Sequence, residues 1–180
     1  AGQYQSGGYN DAVTGVYSVS VPPGDYKIWF YPFDTYVPEY YNNQSSLANA
    51  NLVTVNDGAV TPNINAVVDI GGWITGTVTA DTGSAPLQSI SIHVYTSTTS
   101  LNDIRSAGTD FAGNYQIGQL PTGIYALCFS VPSDQNYLGE CYDDQVTLAS
   151  ADAVAVTSGM TTSVSAGLAT GGQIMGNITD

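Results

Sequence analysis

Basic side chains are nearly absent from this sequence: one lysine, Lys27, and one arginine, Arg105, stand against 15 acidic residues, for a net charge of −13 and an isoelectric point near 4.1. A nucleic-acid partner, whose phosphates would be neutralised by lysine and arginine, is therefore not expected, and an anionic membrane surface would repel the chain. Charge of either sign is scarce, at 9% of residues. No apolar run approaches the ~20 residues that cross a bilayer as a helix, so no membrane insertion is expected. No charged-then-apolar leader opens the sequence, which therefore reads as a mature or excised soluble piece. Histidine occurs once, at His93 in the alternating stretch "SISIHVY", and is expected to face solvent. With one histidine and no reactive serine motif, neither a zinc set nor a Ser-His-Asp constellation can be assembled, and no enzymatic activity is expected. The two glutamates, Glu39 and Glu140, fall at equivalent places in an internal repeat, which favours a structural role over a paired-carboxylate site.

What is abundant is Thr, Ser, Gly, Tyr, Val and Asn, with 43% apolar residues, enough for a buried core. This mixture favours pleated strands joined by tight turns, and no helical periodicity of useful length occurs. A repeat runs through the chain. "GVYSVSVPPGDYKIWFYPFDTYVPEYYNN" from Gly15 aligns with "GNYQIGQLPTGIYALCFSVPSDQNYLGECYDD" from Gly113, setting Tyr17 on Tyr115, Gly24 on Gly123, Tyr26 on Tyr125, Phe30 on Phe129, Tyr36 on Tyr137 and Tyr41 on Tyr142. "VTVNDGAVTPNINAVVDIGG" from Val53 continues the match with "VAVTSGMTTSVSAGLATGG" from Val154. Alternation at Tyr17, Val19, Val21 and at Ile90, Ile92, Val94, with regularly spaced turn residues, predicts an all-β fold of two tandem antiparallel β-sandwich units. The expected division is an incomplete unit over 1–70, a complete unit over 71–170, and an orphan strand over 171–180.

The alignment places Cys128 on Trp29 and Cys141 on Tyr40. Both positions flank a hairpin, where cross-strand neighbours lie close to disulfide range. A Cys128–Cys141 disulfide is expected, which favours an extracellular or cell-surface setting; two reduced core thiols in a cytosolic protein are the alternative.

The run "GGWITGTVTADTGSAPLQSISIHVYTSTTS", followed by "GTDFAGNYQIGQLPTGIYALCF", resembles the carboxypeptidase regulatory-like domain, a transthyretin-like, Cna-B-like β-sandwich. The resemblance rests on Gly76, Val78 and Thr79; Pro86 and Leu87; Val94 and Tyr95; Thr109, Asp110, Gly113 and Tyr115 in a "TDxxGxY" turn; and Leu120, Pro121, Gly123 and Tyr125 in an "LPxGxY" turn. It covers the whole second unit and the later two thirds of the first. It implies spacers, stalks or adhesive modules of secreted and surface proteins, not an activity. The Lys–Asn isopeptide bond of some Cna-B-like relatives is excluded in the second unit, which contains no lysine.

"GGQIMGNITD" over 171–180 looks like the opening strand "GGWITGTVT" that begins at Gly71, whereas the first unit lacks the counterparts of both "WITGTVT" and "ISIHVY". Two explanations are open. The sequence is a window on a longer tandem array, or Gln173, Ile174, Met175, Gly176, Asn177, Ile178 and Thr179 form a strand donated to the open first unit of another copy, with the Gly-rich "AGQYQSGGYN" from Ala1 adapting to it. Both make the protein a structural subunit or repeat of an extracellular filament or stalk, whose partners are copies of itself or adjacent repeats. The alternative is a glycan-binding or calcium-dependent adhesion module of a larger secreted protein. For that reading, Trp73, Tyr31, Phe33, Tyr36 and Tyr40 are candidate sugar platforms, and Asp110, Asn114, Asp143 and Asp144 are candidate calcium ligands; no cofactor other than calcium is expected. Asn43 and Asn177 head N-glycosylation sequons.

Overall fold

Apolar residues recurring at every second position build the elements of the fold. The computed structural model describes residues 6–33 and 35–179; residues 1–5, Asp34 and Asp180 lie outside the described residues, and with them the first half of "AGQYQSGGYN". The strands, in chain order, are β1 (Gly24–Tyr26), β2 (Trp29–Phe30), β3 (Glu39–Tyr40), β4 (Val53–Val55), β5 (Gly72–Ala80), β6 (Ser91–Tyr95), β7 (Arg105–Gly108), β8 (Asn114–Leu120), β9 (Gly123–Ser130), β10 (Glu140–Cys141), β11 (Val154–Val156), β12 (Thr161–Ser163) and β13 (Ala166–Leu168). A single 3-10 turn covers Leu148–Ser150 among the described residues. The chain divides into two compact units, one of residues 1–31 and 38–68, the other of 32–37 and 69–180.

The second unit is a β-sandwich. One sheet has the order β10–β9–β6–β7, with β11 also on β9; the other is β12–β5–β13, with β8 also on β5. Alternate residues of both sheets point inward and close one core: Ile74 and Val78 from β5, Ile92 and Val94 from β6, Tyr115, Ile117 and Leu120 from β8, Leu127 and Phe129 from β9, with Val154, Val156, Val164 and Leu168. Burying such side chains contributes about 1.5–3 kcal/mol each, which is what holds two small sheets together. One feature departs from the antiparallel expectation. Both β12 and β13 run parallel to β5, while β8 flanks β5 antiparallel. Thus β5 is the strand on which every other strand of its sheet depends.

The first unit, by itself, is built from two short antiparallel ladders, β1 with β4 and β2 with β3. Only Ala50 and Val53 are buried among its described apolar residues. Residues 16–21, read from their alternation as a strand, carry no strand, and neither do residues 61–68. Both patterns are apolar on one side, yet neither segment has a β5-type strand beside it to complete its hydrogen bonds.

Candidate assembly site

Equivalent positions of the two units make equivalent bonds. The Tyr17 hydroxyl donates to the Ile64 carbonyl at 2.5 Å, and the Tyr115 hydroxyl to the Val164 carbonyl at 2.7 Å. Tyr26 donates to Pro22 and Tyr125 to Pro121. The Tyr41 amide donates to Ile28, and that of Tyr142 to Leu127. Tyr17 meets Phe30 edge-on, as Tyr115 meets Phe129. Trp29 pairs with Tyr40 across β2–β3 with near-parallel rings 6.2 Å apart, and Cys128 pairs with Cys141 across β9–β10 in the corresponding place. The two units thus share one hydrogen-bonding plan, position by position.

In the second unit β5 lies in a slot between β8 on one side and β12 and β13 on the other. Its register sets Thr75 opposite Gln116, Gly76 opposite Tyr115 and Thr77 opposite Asn114. The slot is narrow at three glycines. A Cβ on Gly72 would lie 2.4 Å from Val156 Cγ1, and one on Gly76 would lie 1.7 Å from the Val164 carbonyl oxygen that accepts from Tyr115. A Cβ on Gly71 would meet the Gln119 backbone at 2.6 Å. Trp73 lies over Gly118 of β8, where a Cβ would come within 2.3 Å of its ring.

In the first unit the counterparts of these walls carry no strand pairing among the described residues, and Gly8 lies beside one of them, where a Cβ would come within 2.8 Å of the Ser18 carbonyl oxygen. Setting aside Gln119, the extra residue whose φ of 59° marks a bulge, residues 16–21 align with β8 and residues 61–68 with β12 and β13. Ile117, Val164 and Leu168 are buried in the second unit, whereas their counterparts Val19, Ile64 and Val68 are exposed or half-buried. Residues 171–179, expected as an orphan strand, lie in no ladder, and Ile174, Met175 and Ile178 are 103, 89 and 104% exposed.

The remaining candidates are placed elsewhere. Cys128 and Cys141 form a disulfide with an S–S distance of 2.00 Å. Asp110 is occupied by its own turn, its Oδ1 accepting from the amides of Ala112 and Asn114, and Asp11 repeats this with Val13 and Thr14. Asp143 and Asp144 lie on the loop after β10. Among the described residues no three His, Cys, Asp or Glu side chains come together to hold a metal, so Asp110, Asp143 and Asp144 do not form one set. The Glu140 carboxyl is raised: burial first, then the charges of Asp144, Asp143 and Asp81, push it up to about 7. Burial, reinforced by Tyr142, likewise raises the Tyr115 phenol, which keeps it a hydrogen-bond donor. His93 lies in β6 with Nδ1 3.2 Å from Asp103 Oδ2.

The aromatic candidates split. Tyr31, Phe33 and Tyr36 are exposed, but Trp73, expected at the surface, is half-buried over Gly118, and Tyr40 is half-buried against Trp29. Trp29 itself contacts both Tyr31 and Tyr40. Asn43, at φ 56° in a turn, and Asn177 are both exposed. Sequence reasoning missed the Trp73–Gly118 packing; its signal was the aligned pair Gln173 and Ser20, which differ from Trp73 and Gly118 together.

No protein-family model matches this chain. No curated protein matches it. Among solved structures, it is similar to GBS52, the minor pilin of the Gram-positive pathogen Streptococcus agalactiae, with a TM-score of 0.42 and 14% identity, over 91% of this chain and 67% of that one. The streptococcal ancillary pilin gives a TM-score of 0.40 at 12% identity over 83% and 46% of the respective chains. The group B streptococcus pilus 2b backbone protein gives 0.36 at 15% identity over 86% and 52%. The chain thus spans from 46 to 67% of the length of these proteins.

Proposed function

We propose that this protein is a structural subunit or repeat of an extracellular filament or stalk, in which the half-built first unit is completed by a strand from a neighbouring unit. One observation carries the reading. Residues 16–21 and 61–68, the counterparts of the strands that flank β5, pair with no strand among the described residues, while the β5-like segment 172–179 lies exposed, so each exposes apolar surface that the other would cover. An unfilled slot and an unpaired strand are both liabilities in isolation, and strand addition removes both at once through main-chain hydrogen bonds. The disulfide suits an oxidising compartment, and the near absence of basic residues suits a surface that binds neither nucleic acid nor anionic lipid.

The test compares the 180-residue chain with a version ending at Gly171, by size-exclusion chromatography and negative-stain microscopy. The full chain is expected to give filaments or high-mass species and the shortened one a monomer. Monomers from both, or assemblies from both, would overturn completion by this strand.

A further inference from the structure

Two glycines of the exposed segment have no local reason to be glycine. A Cβ on Gly172 or Gly176 would meet nothing within 4 Å, and neither residue has the positive φ that favours glycine. Each nonetheless aligns with a β5 glycine, Gly72 or Gly76, that cannot carry a side chain because neighbouring atoms crowd it. A glycine without steric cause in one state marks a close approach in another. The first unit has the atoms for that approach, because Tyr17 already donates to the Ile64 carbonyl, as Tyr115 does to the carbonyl that crowds Gly76.

The residue before Ile74 sharpens the match. Trp73 fits over β8 only because Gly118 has no side chain. In the first unit that position is Ser20, whose Cβ would strike a tryptophan, and the exposed segment carries Gln173 instead. Residues 171–179 therefore suit the open slot of the first unit better than β5 itself would. They also carry no charged side chain in a chain of net charge −13, so no acidic side chain would enter between the walls of the slot.

We infer that the occupant of the open slot is residues 172–179 of a second copy of this chain, held in one register: Gly176 against Tyr17 and the Ile64 carbonyl, Gln173 over Ser20, and Ile174 and Ile178 inward as Ile74 and Val78 are. The strand runs antiparallel to residues 16–21 and parallel to 61–68. This inference rests on the strand-completion reading above, and it names both the partner and the register.

The register predicts that residue 175 lies directly opposite residue 18, as Thr75 lies opposite Gln116. A Met175→Cys chain mixed with a Ser18→Cys chain under mild oxidation is expected to give a covalent dimer. A mixture with Ser20→Cys, one diagonal step away, is expected to react more slowly. No free cysteine competes among the described residues. Gly176→Val is expected to abolish both dimer and filament, although its site is exposed in the monomer. Gln173→Trp is expected to weaken assembly about tenfold or more through overpacking, and Ser20→Gly added to it to restore assembly.

The outcomes separate the two levels. Removing residues after Gly171 without effect on assembly overturns the strand-completion reading itself. If that removal abolishes assembly, but Ser20→Cys couples faster than Ser18→Cys or Gly176→Val assembles normally, the register falls and the broader reading stands. If a Met175→Cys, Ser18→Cys double variant closes on itself as a monomer and the mixtures give no dimer, a second copy is not the occupant.

Discussion

At the scale of single residues, Glu140 is the group whose environment leaves a measurable trace. It flanks the disulfide on β10, and burial with the nearby Asp144, Asp143 and Asp81 charges raises its carboxyl to about 7 from the usual 4.5. A carboxyl whose pKa is higher folded than unfolded binds more protons in the folded state between those two values. Its contribution to stability is therefore full below pH 4.5 and is lost as pH rises through 7. The urea midpoint of the chain ending at Gly171 is expected to fall over that interval, and Glu140→Gln to flatten the fall. An unchanged slope in the variant would assign the pH dependence to other carboxylates. Little of this was legible in advance: the repeat paired Glu39 with Glu140 as structural residues, but sequence spacing does not reveal that Asp81, some sixty positions away, faces the same carboxyl.

At the scale of elements, the two units share a plan but fasten one hairpin differently. The first uses the Trp29–Tyr40 ring pair and the second a covalent bond between Cys128 and Cys141, 13 positions apart. Cross-linking a loop of that length stabilises by about 3 kcal/mol in the chain-entropy view. Replacing both cysteines by serine is expected to lower the stability of the second unit by about that amount, read from urea unfolding of the oxidised and variant chains. A loss under about 1 kcal/mol would mean that the reduced hairpin is already held by packing. The cysteine pairing was readable because aligned aromatic residues marked the two positions as neighbours. So were the strands of the second unit, whose alternation coincides with a complete partner set. The same alternation at Tyr17, Val19 and Val21 misled, since a period of two specifies which side would be buried and not whether a strand is present to bury it. The parallel pairing of β12 and β13 was hidden for a related reason: handedness and direction of long-range pairing leave no mark in a three-residue strand.

At the scale of the whole molecule, net charge and assembly oppose each other. Each copy carries −13, so the proposed association would bring together two bodies that repel, while residues 172–179 themselves carry no charged side chain. Repulsion of this kind is screened over about 10 Å at 0.1 M salt. The rate of assembly, followed by light scattering, is expected to rise with ionic strength and then level once apolar burial and main-chain bonds alone set it; a fall with added salt would point to an attractive charge pair at the joint. The fit of Trp73 over Gly118, against Gln173 and Ser20, reaches further than a single molecule. If residues 172–179 of a second copy fill the slot, Ser20 and Gln173, some 150 residues apart in one chain, meet only across a junction between individuals, and neither could then drift alone. A lineage that exchanged both, to tryptophan and glycine, would polymerise with its own kind, while its tryptophan-bearing segment would be refused by the parental slot. Compatibility between filaments of diverging strains would then be inherited as a matched pair of small and large side chains.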